Sequence, residues 1–211
     1  MKKSILFVGL LGTLFLAACS NSTKTTEAGN EEVAAQSTEE ATSYTVNASE
    51  SSVKWLGAKL FDTKHTGTVA VKEGELSVVN GFIQSGKFVI DMTTITETNN
   101  DNAEMAGKLV GHLKSGDFFQ VDSFPTASFE VVSVNGNTIT GNLTIKGITK
   151  SIEIPADVQI AENRLTASSS FTINRNDWGI TWGSAAQPID FLKDNLIKEE
   201  IQFDINLVAT N

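Results

Sequence analysis

Hydrophobic and polar residues alternate along much of the chain. The clearest case is the segment IKEEIQFDINLV near the C-terminus, which places on one face Ile197, Ile201, Phe203, Ile205 and Leu207. Polar residues occupy the positions between them. Successive side chains of a β-strand point to opposite faces, whereas a helix would spread these residues around its circumference. The pattern therefore predicts a strand with one apolar and one polar face.

Similar alternation predicts further strands. They lie at about 44–47, 52–60, 65–73, 75–80, 81–92, 138–146, 152–160 and 165–173. Residues that favour tight turns separate several of them, namely Asn135-Gly136-Asn137, Gly147 and Glu162-Asn163. These strands supply most of the predicted secondary structure.

One segment, NAEMAGKLVGHLKS, has the spacing of a helix instead. Met105, Leu109 and Leu113 recur every four residues and form one apolar stripe. Asp101 or Asn102 is a suitable N-terminal cap, and Gly116 a suitable end.

About eight long strands with few helices favour a closed sheet over two packed sheets. The strands run to about 10–12 residues, beyond the usual five or six. We therefore predict an all-β fold, an antiparallel eight-stranded barrel with one covering α-helix, which can hold one small ligand. Its inner face includes the small residues Gly141, Ala156, Ala167 and Ser169. They either match large partners in a filled core or leave room for a cavity, and both alternatives remain open.

The N-terminus has the features of a lipoprotein signal peptide. Lys2 and Lys3 precede an apolar run that is shorter than the roughly 20 residues of a spanning helix. Small residues then precede Cys19, which resembles the bacterial lipobox. We predict that residues 1–18 are removed and that Cys19 carries the lipid anchor. The alternative is an incidental cysteine in an uncleaved helix.

The segment after the cysteine is rich in Ser, Thr, Glu and Ala, and Val33 is its only bulky apolar residue. Such a composition does not bury enough apolar surface to offset chain entropy. We therefore expect residues 19–43 to be a disordered tether, tens of ångströms in reach, and residues 44–211 to be the folded domain.

The chain is acidic, with a formal net charge of −9. Removal of residues 1–18 would take away two lysines and no acids. A negative surface argues against nucleic acid as a partner and against docking on anionic lipid headgroups, so attachment to a membrane falls to Cys19. Under Gram-negative sorting rules, Ser20 favours an outer-membrane address facing the periplasm.

Three segments together resemble one protein family. They are GHLKSGDFFQVDSFPTASFE, ITGNLTIKGITKSIEIP and FTINRNDWGI, and they occur in this order. The helix ending in His-Leu, followed by Asp-Phe-Phe and Phe-Pro-x-x-x-Phe, is similar to the YceI-like family, as are Gly-x-Leu-Thr-Ile-x-Gly-Ile-Thr-Lys and Arg-x-Asp-Trp-Gly. The resemblance covers residues 44–211. It implies a lipocalin-like barrel that binds a polyisoprenoid chain, such as a quinone tail or a prenyl phosphate, without catalytic machinery or a further cofactor.

Strand parity, with one helix residue added, predicts which side chains would line such a barrel. They are Trp55, Phe82, Phe88, Ile90, Leu109, Phe129, Leu143, Ile145, Phe171, Ile173, Phe203 and Ile205. A register error of one residue would turn the set from a whole strand outward.

Three further residues are candidates for the rim or for contact with a headgroup. His112 either caps its helix through a backbone carbonyl or contacts the ligand headgroup. Arg175 either binds an anionic headgroup or pairs with a carboxylate in a tight turn. Trp182 either lines the entrance or packs there. His65 and His112 lack the spaced partners of a zinc site, so we predict no metal.

The predicted function is an envelope lipoprotein that binds or carries an isoprenoid-type lipid without acting on it chemically. One alternative is a structural or adaptor lipoprotein with a filled barrel. A lipid hydrolase is a weaker alternative, because the sequence contains no Gly-x-Ser-x-Gly motif.

Overall fold

The computed structural model describes residues 24–34, 40–60, 63–185 and 196–211. The predicted signal peptide and Cys19 lie outside the described residues. Within the described ranges, no helix combines the length and the apolar character needed to cross a membrane.

In the described part of the chain, twelve strands, numbered in chain order, form one sheet. They are β1 (Thr25–Thr26), β2 (Ala28–Gly29), β3 (Thr42–Val46), β4 (Ser52–Ala58), β5 (Lys64–Val79), β6 (Phe82–Glu97), β7 (Thr126–Asn135), β8 (Thr138–Ile145), β9 (Ile148–Pro155), β10 (Asp157–Ala161), β11 (Arg164–Asn174) and β12 (Glu200–Thr210). The helix α1 spans Ala103–Lys114, and a 3-10 helix spans Arg175–Trp178.

The sheet closes on itself as an antiparallel barrel. Strands β5 to β9 pair in sequence order, β10 continues β9 and pairs with β11, and β11 pairs with β12. Both β3 and β4 pair with β5 and with β12, which completes the ring. β3 with β4, and β9 with β10, each occupy one position in the ring. The ring has eight such positions, but the described residues form twelve strands rather than the eight predicted. The predicted fold class, with one helix, is confirmed.

The two longest strands are irregular, and this changes which residues face inward. The predicted strands 65–73 and 75–80 are one strand, β5. Its partner β6 contains an extra residue, because Ser77 pairs with Ser85 whereas Val78 pairs with Ile83. Such a bulge reverses the alternation of side chains. Ile83 is therefore buried and Phe82 is 70% exposed, so the prediction that Phe82 faces the interior is wrong.

Inward glycines on the wall lie beneath aromatic rings on neighbouring strands. A Cβ atom at Gly141 would overlap the ring of Phe129, and one at Gly67 would overlap the indole of Trp55. In each pair the glycine has no side chain, which leaves room for the aromatic ring of the neighbouring strand to lie flat against the wall.

The helix begins where the sequence predicts. The side chain of Asn102 accepts hydrogen bonds from the backbone N–H groups of Glu104 and Met105, at 3.0 and 3.1 Å. At the other end the cap is Ser115, rather than the predicted Gly116. The backbone N–H and the hydroxyl of Ser115 both donate to the carbonyl of His112, at 3.1 and 2.8 Å.

Part of the segment that follows Cys19 pairs with the barrel wall. Residues 24–34, called the docked segment below, lie along the seam between β9 and β11. β1 pairs with Thr172 and Ile173 of β11 in parallel, and β2 pairs with Ser151 and Ile152 of β9 in antiparallel. The expected disorder of residues 19–43 is therefore wrong for this part.

Glu32 fixes the docked segment to the wall. Its backbone N–H donates to Oδ1 of Asn142 at 3.0 Å, and its carbonyl accepts from Nδ2 of the same amide at 2.7 Å. The hydroxyl of Ser151 donates to the Glu32 carboxylate at 2.7 Å. Asn142 and Ser151 are 6% and 5% exposed. These polar contacts hold the segment together with the backbone pairing of β1 and β2, and composition alone does not reveal them.

We expect Gly141→Ala to destabilise the barrel by about 1–3 kcal/mol, because the added methyl group overpacks the contact with Phe129. Urea denaturation measures this difference. Gly57→Ala is the matched control, since a Cβ there meets nothing within 4 Å; it should be neutral or slightly stabilising. Equal losses in the two variants would contradict the ring-over-glycine packing.

We expect Asn142→Ala to release the docked segment, because the segment loses two hydrogen bonds worth roughly 0.5–1.5 kcal/mol each. Hydrogen–deuterium exchange of residues 24–34 should accelerate by roughly tenfold. Asn206→Ala, at an exposed position on β12, should leave the exchange unchanged. If exchange in the Asn142 variant matched the wild type, the amide would not hold the segment.

Candidate functional site

The barrel encloses a cavity of about 470 Å³ that is lined mainly by apolar side chains. Its volume falls in the range of about 300–1,000 Å³ that is typical of small-molecule sites. The lining residues come from α1 and from strands all around the barrel, namely β4 to β9, β11 and β12. The cavity therefore follows from the inward face that the alternating pattern predicts.

Most of the predicted lining residues do line the cavity. They are Trp55, Phe88, Ile90, Leu109, Phe129, Leu143, Ile145, Phe171, Phe203 and Ile205. Phe82 lies outside, for the reason given above. Ile173 is only 1% exposed but does not line the cavity. It lies just before the 3-10 helix, where the fully buried Trp178 and Ile180 occupy the interior.

The alternating pattern missed lining residues on β6. Thr68 on β5 pairs with Thr96 on β6, and Ala70 pairs with Asp91. Between these two pairs β5 has one residue, Val69, whereas β6 has four, residues 92–95. Met92 and Ile95 are consequently both buried and both line the cavity. The register of the two strands reveals this, whereas sequence parity does not.

The small residues on the inner face have two different roles. Ala156, Ala167 and Ser169 line the cavity and leave space in it. Gly141 does not, because the ring of Phe129 covers it. Room inside the barrel is therefore concentrated near β9, β10 and β11.

His112 belongs to an aromatic cluster at the mouth of the cavity, beneath the end of α1. Its ring is nearly perpendicular to those of Phe118 and Trp182, with centroid distances of 5.0 and 4.4 Å. Nε2 lies 3.1 Å from Oδ2 of Asp117. His112 and Trp182, together with Phe118, line the cavity. The backbone carbonyl of His112 also accepts the hydrogen bond from the backbone N–H of Ser115, the residue that caps the helix. The side chain is thus held by packing and by one carboxylate.

Arg175 also lines the cavity, although it is only 1% exposed. Its guanidinium donates to the backbone carbonyls of Lys198 at 3.1 Å, Ile197 at 3.3 Å and Ile180. Burial lowers the pKa of this guanidinium, and the nearby charges of Glu199 and Glu200 partly offset the effect. Its hydrogen-bond partners are main-chain carbonyls, and its guanidinium lies 5.8 Å from the centre of the Phe118 ring. Its role in this structure is to tie the 3-10 helix to the chain that enters β12.

Trp178, at the end of the same 3-10 helix, packs into the barrel interior. Its side chain is fully buried, and its indole N–H donates to the carbonyl of Leu143 at 3.1 Å. The Arg-x-Asp-Trp-Gly motif therefore supplies two buried side chains whose polar atoms bond to the backbone.

A second pair of polar side chains, His65 and Glu97, lies where β5 begins and β6 ends. Nδ1 of His65 is 2.5 Å from Oε1 of Glu97, and the Glu97 side chain is fully buried. Trp55 and His65 line the cavity here. The alternating pattern does not reveal this pair, because the irregular register of β6 turns Glu97 inward. Among the described residues, no three His, Cys, Asp or Glu side chains are close enough to hold a metal ion.

Comparison with known protein sequences yields clear relatives. A UPF0312 protein of Staphylococcus aureus (strain bovine RF122) is 31% identical over 158 residues, which cover 69% of this chain and 86% of the relative. A UPF0312 protein of Pseudomonas paraeruginosa is 39% identical over 93 residues, which cover 38% of this chain and 49% of the relative.

Solved structures share the fold at low sequence identity. BcnA of Burkholderia cenocepacia superimposes with a TM-score of 0.54 at 19% identity, covering 78% of this chain and 99% of that protein. A polyisoprenoid binding domain from Saccharophagus degradans, implicated in plant cell wall breakdown, gives a TM-score of 0.57 at 16% identity, covering 79% of this chain and 97% of that domain. Since the YceI-like domain matches residues 44–209 of this chain, the protein belongs to the YceI-like family.

Proposed function

We propose that this protein is an envelope lipoprotein that binds or carries an isoprenoid-type lipid in its barrel cavity, without chemistry on the lipid. The observation that carries the proposal is the barrel cavity of about 470 Å³, lined mainly by apolar side chains. The family and the fold shared with a polyisoprenoid binding domain support the same class of ligand.

The apolar lining supplies enough free energy for such binding. Each methylene-sized group removed from water contributes about 0.8 kcal/mol. On the order of ten such groups, the carbon content of two isoprene units, would contribute roughly 8 kcal/mol. That corresponds to a dissociation constant near 1 μM before ordering costs. A chain that fills more of the cavity would bind more tightly.

The cavity also favours a carrier over a filled-barrel adaptor. A filled barrel would have large side chains opposite the small residues of the inner face. Ala156, Ala167 and Ser169 instead line open space. The space runs past these residues towards the mouth, where Trp182 and His112 lie.

Attachment to the membrane is assigned to an acylated Cys19. Only residues 20–23 separate this position from the docked segment, and an extended chain spans at most about 3.6 Å per residue. An anchored barrel would therefore lie within about 18 Å of the bilayer surface while the segment is docked. This is closer than a disordered tether of residues 19–43 would hold it. By the sorting argument from Ser20, the proposed site is the outer membrane, on its periplasmic side.

We expect Ala167→Phe to abolish binding of a long isoprenoid, because the ring would occupy the space beside β10 and β11. Native mass spectrometry of protein incubated with a C20 isoprenoid measures the bound fraction. Gln159→Phe places the same ring on the exposed face of the neighbouring strand and should bind normally. Undiminished binding by the Ala167 variant would place the ligand elsewhere.

We expect Cys19→Ser to move the protein from the membrane fraction to the soluble fraction of the cell envelope, because acyl chains provide the proposed attachment. Immunoblotting of the fractions, with mass spectrometry of the mature N-terminus, measures the change. Ser20→Ala, one residue away, should remain acylated and membrane-bound. A Cys19 variant that stays with the membrane would refute the anchor but leave lipid binding untouched.

A further inference from the structure

We propose that Trp55 and Glu97 form a polar subsite that binds the hydroxyl group of an isoprenoid alcohol or phenol. The inference rests on the proposed function, since it assumes that an isoprenoid chain occupies the cavity. It narrows the headgroup to a neutral hydroxyl, in preference to a phosphate or an oxidised quinone.

The two side chains are on adjacent parts of the inner wall. Trp55 of β4 and Glu97 of β6 both pair with Gly67 of β5, which lies between them. The indole of Trp55 lies directly over Gly67: a Cβ atom there would be 2.6 Å from Cε2, the carbon bonded to the indole nitrogen. The nitrogen edge of the indole therefore lies above the residue that separates it from Glu97.

Glu97 faces the interior because of the irregular register of β6. Ile95, two residues earlier on the same face, lines the cavity, as do Trp55 and His65. The Glu97 side chain is fully buried, and Trp55 is 9% exposed. Trp55 therefore lines the cavity directly, whereas the Glu97 carboxylate is buried next to it, in contact with the lining residue His65.

Each side chain retains one unused polar atom. Nε1 of Trp55 and Oε2 of Glu97 are buried, and neither has a hydrogen-bond partner among the described residues. Native structures seldom leave such atoms unpaired, because a buried polar group without a partner costs free energy. One of these atoms is a donor and the other an acceptor.

His65 holds the carboxylate in place. Its Nδ1 contacts Oε1 of Glu97 at 2.5 Å and so occupies only one of the two oxygens. The packing of the indole on Gly67 fixes Trp55 in turn. Both partners are therefore positioned before a ligand arrives, which reduces the ordering cost of binding.

A hydroxyl group satisfies both atoms at once. Its oxygen accepts from the Trp55 N–H, and its proton is donated to Oε2 of Glu97. An oxidised quinone carbonyl offers only acceptors and leaves Oε2 unpaired. A phosphate would place its negative charge beside the Glu97 carboxylate at low dielectric, which is unfavourable.

The test compares three C20 probes with the same chain: geranylgeraniol, geranylgeranyl phosphate, and the hydrocarbon without a headgroup. The protein is the full mature chain with Cys19→Ser, delipidated by solvent extraction, and affinity is measured by titration calorimetry. We expect geranylgeraniol to bind roughly tenfold or more tightly than the hydrocarbon, because a hydrogen bond to a charged group is among the stronger ones. Geranylgeranyl phosphate should bind more weakly than the alcohol.

Two variants locate the effect. Trp55→Phe removes the indole N–H and keeps an aromatic ring, so the preference for the alcohol over the hydrocarbon should fall several-fold while hydrocarbon binding persists. Glu97→Gln removes the charge and should improve binding of the phosphate relative to the alcohol. Glu130→Gln makes the same change at an exposed position on β7, outside the cavity lining, and is the control that should keep the wild-type preference. Hydrocarbon binding by each variant also reports that the barrel is folded.

The outcomes separate this inference from the proposed function. Equal affinity for the alcohol and the hydrocarbon in the wild type would overturn the subsite but leave lipid binding intact. Tightest binding of the phosphate would overturn it in favour of an anionic headgroup site. Binding of none of the three probes would refute the proposed function itself.

Discussion

The ring of strands closes through the ladder between β10 and β11, but the described structure has no ladder between β9 and β11. β10 pairs with β11 only as far as Ser168, and the hydroxyl of Ser169 donates to the carbonyl of Pro155 where the strands diverge. Beyond this point both edges would present unpaired backbone groups. The docked segment pairs with each edge in turn. A part of the chain that precedes the family domain thus completes the wall.

A wall held by backbone pairing does not need a filled interior. In most small domains large side chains from all elements meet in a single packed core. In this barrel the large residues pack mainly along the wall, as Phe129 does on Gly141 and Trp55 on Gly67, and the middle remains open. An unfilled apolar cavity lowers stability. A ligand that fills it would bind only the folded state and raise stability by mass action, so the cavity that weakens the empty protein also favours occupancy.

The sequence predicted what depends on regular alternation and missed what depends on register. Alternating strands with one apolar face predicted the barrel, and the capping residue Asn102 predicted the start of α1. Both predictions succeeded because they depend on local sequence. The extra residue opposite Ser77–Val78 reversed the orientation of Phe82, and the wider irregularity near Val69 turned Ile95 and Glu97 inward. The pairing of two distant strands determines both features. The docked segment escaped prediction for a related reason: its partners Asn142 and Ser151 resemble ordinary outward polar residues until Glu32 is placed on them.

The polar atoms around the mouth divide into those with a protein hydrogen-bond partner and those without one, and the two classes have different roles. The guanidinium of Arg175 and the indole N–H of Trp178 donate to backbone carbonyls, and His112 contacts Asp117. Groups with partners of this kind stabilise the rim of the barrel and gain little by contacting a ligand. The indole of Trp55 and the carboxylate of Glu97 each retain an unpaired atom among the described residues. An apolar cavity distinguishes poorly between lipids of similar chain length, so discrimination depends on groups whose hydrogen bonding only the correct ligand completes. On this argument the YceI-like motif residues stabilise the barrel, and in the proposed subsite Trp55 and Glu97, which lie outside those motifs, select the ligand.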